Sequence, residues 1–179
     1  MGEERAWAHR SRPDLEQWFT TLLAEHGPAL GRLAASYARA LGERDDLLQE
    51  IAMAIWGALP RFRGECSERT FLFRIAHNRA LAYLARHRLP TVEADEDMEI
   101  EDARPNPEQA FSSEQQGQRL LGAIRRLPVG YAQVVTLTLE GLSYADIADV
   151  LGISETNVGA RLTRARQMLR KLLRTSDGT

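Results

Sequence analysis

Apolar positions recur along this chain at helical spacing almost from end to end, and no segment demands a strand. Leu15, Trp18, Phe19 and Leu22 share one side of a helix predicted from about Asp14 to Glu25. Gly27-Pro28 then breaks the pattern, with Pro28 suited to the first turn of a second helix. That helix runs to about Leu41 and ends at Gly42. Asp45-Asp46 open a third helix, where acids complement the dipole, and Ile51 and Ile55 carry it to Trp56. Pro60 to Cys66 reads as a loop. Ser67 caps a long helix from about Glu68 to His87, with Leu72, Ile75, Ala76, Tyr83 and Leu84 turned inward. Val134-Val135-Thr136-Leu137-Thr138 is rich in β-formers, but it sits in a helix-spaced run and reads as buried helix.

The stretch from Leu142 to Arg166 carries the clearest local signals. Ser143 with Asp146 three residues on forms a capping box, and Ile147, Val150 and Leu151 give the helix an apolar face. Gly152 stands where the chain must leave that helix with positive φ. Ser154 caps a second helix whose inner face is Val158, Leu162 and Ala165 and whose outer face bears Arg161, Arg164 and Arg166. Helix, tight turn and basic second helix together predict a helix-turn-helix, in which the second helix enters the major groove.

Net charge changes the picture only when it is resolved along the chain. The formal total of −2 is unpromising for a nucleic-acid binder. Yet residues 61–88 hold seven Arg against two acids, and residues 155–174 hold six basic residues against one acid. Between these islands, residues 89–124 hold nine acids against two Arg. Phosphate responds to the local field rather than the total. The acidic run also contains Pro90, Pro105 and Pro107 and offers no usable apolar face, so residues 89–106 read as an extended linker. At full extension it reaches roughly 60–65 Å, against about 70 Å for two turns of duplex.

The expected architecture is therefore all-α. Two small helical domains, residues 12–88 and 107–174, are joined by the acidic flexible linker 89–106. Hydrophobic content of 44% suffices for packed cores. No apolar run reaches membrane-spanning length, and residues 1–30 lack the basic start and apolar stretch of a signal peptide. The expected location is cytoplasmic, without membrane insertion. The single cysteine, Cys66, excludes an internal disulfide; it reads as an ordinary thiol, with a redox role left open. His9, His26, His77 and His87 show no metal-ligand spacing, and Asp45, Asp46 and Glu50 bring no substrate cleft with them. No enzyme activity, metal or cofactor is expected.

At this point the motifs resemble those of bacterial RNA polymerase sigma factors. Asp45-Asp46-Leu47-Leu48-Gln49-Glu50 followed by Trp56 is similar to the acidic-Leu-x-Gln-Glu...Trp signature. Phe62-Arg63-Gly64 and Thr70-Phe71-Leu72-Phe73-Arg74-Ile75-Ala76-His77-Asn78 resemble region two. Leu127-Pro128, Leu139-Glu140-Gly141-Leu142-Ser143-Tyr144 and Arg161-Leu162-Thr163-Arg164-Ala165-Arg166 resemble region four. Both regions with little else resemble the extracytoplasmic-function (ECF) subfamily, over nearly everything from Phe19 to Leu173.

The resemblance implies three surfaces and three partners: core RNA polymerase, promoter DNA and an anti-sigma factor. Asp46, Gln49, Glu50 and Trp56 would dock on the polymerase. Phe62, Arg63, Arg74, His77, Asn78 and Arg79 would hold the melted minus-ten element, a base having left the stack and the backbone lying on arginines. Thr156, Asn157, Gly159, Ala160, Arg161, Thr163 and Arg164 would meet the minus-thirty-five element, with Arg164 and Thr163 as base readers and Arg161 on phosphate or in a structural position.

The departures bear on the same surfaces. The family commonly has Arg at His77, Asp at Ala82 and Trp at Phe71, and larger polar or aromatic side chains at Gly159, Ala160 and Thr163. Gly159 either permits close backbone approach to DNA or weakens readout. A sigma-like decoy that only titrates an anti-sigma factor is the alternative function, and polymerase-dependent transcription separates the two.

Overall fold

The structure, a computed structural model, describes residues 11–38, 41–87 and 113–175. The predicted linker 89–106 lies outside the described residues, together with the neighbouring residues 88 and 107–112. Every regular element among the described residues is helical: α1 Arg12–Tyr37, α2 Leu41–Ala58, α3 Glu68–His87, α4 Ser113–Arg126, α5 Val129–Leu139, α6 Tyr144–Leu151 and α7 Glu155–Thr175. A short 3-10 turn, Leu59–Arg61, follows α2.

In the first unit α1, α2 and α3 pack on one another. Leu22, Leu30, Leu33, Leu47, Ile51, Ile55, Leu72, Phe73 and Ala76 are buried between them. Each large side chain of that kind stabilises the fold by about 1.5–3 kcal/mol when taken out of water. Two expectations are corrected here. The break at Gly27-Pro28 does not occur: α1 begins two residues earlier than Asp14, capped by Ser11 and Asp14, and runs unbroken through Pro28. Pro28 and Ala24, whose carbonyl loses its helical partner, both lie on the exposed side, so water can satisfy the freed oxygen. Gly42 does not end a helix but lies in the first turn of α2. Packing of Leu22 on one side of Pro28 and Leu30 and Leu33 on the other overrides the local breaker.

The second unit packs α5, α6 and α7 together, with α4 against α5 and α7. Val134-Val135-Thr136-Leu137 is buried helix in α5, as its apolar spacing predicts. The capping box on α6 is made: the Ser143 Oγ accepts from the Asp146 N–H at 3.1 Å, and the Ser143 N–H donates to Asp146 Oδ2 at 3.3 Å. Gly152 ends α6 at φ 67°, the left-handed region that glycine enters without a Cβ clash. Ser154 Oγ then accepts from the Asn157 N–H at 3.2 Å to start α7. Val158, Leu162 and Ala165 face inward and are buried.

The two units touch along α3 and α6, with α1 against α4 and α5. Thr70 Oγ1 donates to Asp146 Oδ1 at 2.9 Å, Arg74 pairs with Asp149, and Arg69 donates to the Glu140 carbonyl. Arg32 grips Glu140 with two hydrogen bonds of 2.7 and 2.6 Å. Arg125 Nε donates to the Ala35 carbonyl at 2.8 Å, and Tyr37 of α1 bonds the Gln133 side chain of α5.

Candidate nucleic-acid interface

The loop between the 3-10 turn and α3 turns at Gly64 with φ 72°. Ser67 closes it, its Oγ accepting from the Thr70 N–H at 3.0 Å. Arg63 projects from this loop into solvent, Asn78 is exposed on the following helix, and Arg79 is half-buried. Arg74 lies on α3 and is engaged by Asp149 of the second unit.

Phe62 and His77, expected at the minus-ten surface, are not on it. Phe62 is 5% exposed, packed 4.6 Å from Phe71 and 5.7 Å from Trp18, ring centroid to centroid. An aromatic already packed inside the protein has no face left for a base. His77 is 4% exposed, with Nδ1 3.1 Å from the Tyr37 hydroxyl. Burial pushes its pKa down to about 4, so it stays neutral near pH 7 and holds no phosphate. Phe71, on this account, belongs to the same aromatic core.

On α7, Thr156, Asn157, Ala160, Thr163 and Arg164 are exposed along one side, and Arg161 is half-buried. Thr163 Oγ1 donates back to the Gly159 carbonyl at 2.9 Å, which leaves its oxygen free to accept. Gly159 is not a DNA-facing gap. A Cβ there would stand 3.6 Å from Tyr144 Cε2, so the position faces α6.

On α2, Asp46 and Gln49 are exposed. Glu50 is bound at 2.6 Å by Arg86 of α3. Trp56 is half-buried and meets Phe19 edge to face at 5.3 Å. The sequence gives no sign of the Glu50–Arg86 pair, whose partners stand 36 residues apart. Nor does it mark Glu140, a buried acid whose partner is on another helix 108 residues away. Burial raises the Cys66 pKa, which makes its thiol a poorer source of thiolate at neutral pH.

Family models described as Sigma-70 region 2 and Sigma-70, region 4 match residues 22–89 and 117–169. The RNA polymerase sigma factor NccH of Alcaligenes xylosoxydans xylosoxydans is 30% identical over 179 residues, covering 97% of this chain and 96% of that protein. The ECF RNA polymerase sigma-E factor of Escherichia coli (strain K12) is 31% identical over 161 residues, covering 84% of each chain. The chain belongs to the ECF sigma factors. Among solved structures, that of CnrH in complex with the cytosolic domain of CnrY matches with a TM-score of 0.67 at 28% identity, covering 94% of this chain and 93% of CnrH. Similarity to ECF sigma factors thus extends over both helical units. No described helix is long and apolar enough to cross a membrane.

Proposed function

We propose that this ECF sigma factor binds core RNA polymerase through α2, opens the minus-ten element on α3 and its preceding loop, and reads the minus-thirty-five element with α7. The functional division is that expected from the sequence: residues 12–88 and 107–174, with 89–106 as the tether between two DNA sites. The minus-ten set is Asn78, Arg63, Arg74 and Arg79, with Asn78 holding the unstacked base and the arginines the backbone. The upstream set is Thr156, Asn157, Ala160, Thr163 and Arg164, with Arg161 on phosphate. The protein acts in the cytoplasm and has no catalytic activity of its own. CnrH was solved with the cytosolic domain of CnrY, and an anti-sigma factor is the partner proposed for this chain.

The observation that carries the reading is the recognition helix. Its polar and small residues are exposed on one side while Val158, Leu162 and Ala165 anchor the other. Similarity over both units favours a working sigma factor over a decoy. Asp46 and Gln49 are the cleaner probes of polymerase docking, since Glu50 also ties α2 to α3. Asp46→Arg with Gln49→Ala should leave the helical content unchanged and abolish co-purification with core polymerase. Recovery at the wild-type level would overturn the docking assignment. A decoy would bind an anti-sigma factor without supporting promoter-dependent transcript synthesis.

A further inference from the structure

Tyr37 joins the two units through a hydroxyl that is also bonded to a titratable ring. That hydroxyl stands 3.1 Å from His77 Nδ1 on α3 and bonds the Gln133 side chain on α5. Tyr37, His77 and Gln133 are all buried, so a hydrogen-bonded chain runs from α3 through α1 to α5. Burial pushes the Tyr37 pKa up and the Gln133 bond draws it back, which is the effect of a donor on the phenol oxygen. That leaves the Tyr37 hydrogen for His77, whose Nδ1 can accept it only while the ring is neutral.

A proton on His77 makes Nδ1 a donor, so the chain must reverse its polarity around a buried charge. No carboxylate is placed to offset that charge. From α1 the facing group is Tyr37. From α6, Asp146 is taken up by Thr70 and Asp149 by Arg74. From α2, Glu43, Asp46 and Glu50 act on the Tyr83 hydroxyl near the end of α3, and Glu50 is held by Arg86. Burial is the sole cause of the lowered His77 pKa, so none of these charges reaches the ring. Water is the remaining source of solvation, and the contact between the units controls its approach. Moving the second unit away removes Gln133 and bares the Tyr37 hydroxyl, one hydrogen bond from Nδ1. The closed form therefore favours the neutral ring more than an open form does. By linkage, a proton favours the open form by the same factor.

We propose that Tyr37 and His77 form a proton-sensitive latch between the two units: a proton taken up by His77 loosens the hold of Tyr37 on Gln133 and shifts the molecule towards an open form. Above pH 6.5 the ring is neutral in both forms and the latch holds fully. As the pH falls from 6.5 toward 4, the open form takes the proton first. At pH 5 the open-to-closed ratio rises by as much as about 30-fold over its value at pH 7.5.

Two measurements on the full chain test the latch. In the first, histidine is isotope-labelled and titrated by NMR, with His77→Gln identifying the His77 signal among the four histidines. Glu140→Lys with Asp149→Lys repels Arg32 and Arg74 and so parts the units. In that variant His77 should titrate about one pH unit or more closer to 6.5 than in the wild type. The added lysines alone would move it the other way, so a rise reports opening. The second measurement is affinity for a single-stranded minus-ten oligonucleotide, which follows the open fraction. Between pH 7.5 and 5 the wild type should tighten by up to about 30-fold more than His77→Gln. That variant keeps a hydrogen-bonding partner for Tyr37 and every carboxylate between the units, but it does not titrate. Equal tightening of the two proteins overturns the latch, even if the double-lysine variant stays compact. So does an unchanged His77 titration in a double-lysine variant that has expanded. Only the oligonucleotide arm rests on the sigma-factor reading. If no oligonucleotide binds at any pH, strand binding is what fails, and the NMR titration decides the latch.

Discussion

His77 illustrates how a single side chain changes role once its surroundings are known. Its place in the region-two motif predicts a DNA contact, but the ring lies beneath Tyr37 and is 4% exposed. Nothing in the local sequence marks this, because Tyr37 lies 40 residues upstream on another helix. Asn78, the next residue, is exposed: one step of about 100° around a helix separates a core position from a surface one. The burial has a consequence in acid. The folded-state pKa of His77 is lowered from 6.5 to about 4, so the unfolded chain takes up the proton first. Its contribution to stability is therefore complete above pH 6.5 and is lost as the pH falls toward 4, to a total on the order of 3 kcal/mol. Asp146 is depressed as well, by the hydrogen bonds from Ser143 and then Thr70. Its contribution is present above the ordinary carboxylate pKa and disappears only below it, so the two windows are separate. Urea midpoints measured between pH 7 and 4.5 should fall for the wild type and fall much less for His77→Gln. Parallel curves for the two proteins would show that the acid sensitivity lies elsewhere.

Helix α1 carries the largest disagreement between local signals and observed structure. A proline inside a helix removes one hydrogen bond and crowds the carbonyl four residues earlier, at a cost of about 3 kcal/mol. Here both positions are exposed, which lets water satisfy the oxygen, and buried leucines on either side keep the helix continuous. Pro28→Ala should restore the missing bond and raise the unfolding free energy by about 1–3 kcal/mol. The gain falls short of the full figure because proline also stiffens the unfolded chain. Equal stabilities would mean that the helix is not continuous across residue 28 in solution. The helix-turn-helix behaves in the opposite way. Ser143, Asp146, Gly152 and Ser154 act within a few residues of themselves, and each makes the cap or turn that its chemistry predicts. Elements were thus legible where the deciding interaction is local. Where packing across tens of residues decides, as in α1 and at Phe62, the sequence pattern alone misleads.

The contact between the two units makes the whole molecule more than two domains on a tether. Arg74, a candidate for the melted minus-ten strand, is held by Asp149, and Thr70 beside it by Asp146. The outward residues of α7 remain exposed in the same arrangement. In this closed form the surface proposed to read the upstream element is therefore open, while the part of α3 proposed to hold the melted strand is occupied by carboxylates. Magnitudes decide how the closure is held. The Arg74 and Asp149 side chains are 38% and 49% exposed, and a pair so accessible contributes about 0–1 kcal/mol. Glu140 is different: its side chain is 6% exposed and takes two hydrogen bonds from Arg32. Asp149→Ala alone should consequently leave the compact form nearly intact. Glu140→Lys with Asp149→Lys sets cations against Arg32 and Arg74, and a lysine at the C-terminal cap of α5 suits that helix end. The double variant should keep its helical content and show a larger radius of gyration in solution scattering. It should also bind a single-stranded minus-ten oligonucleotide more tightly than the wild type does in the absence of polymerase. An unchanged radius of gyration would mean that the charged contacts do not hold the units together. An expanded chain with unchanged oligonucleotide affinity would mean that closure does not cover the strand-binding surface. In the expected case, Asp146 both caps its own helix and, with Asp149, covers α3, so opening the molecule exposes Thr70 and Arg74 together.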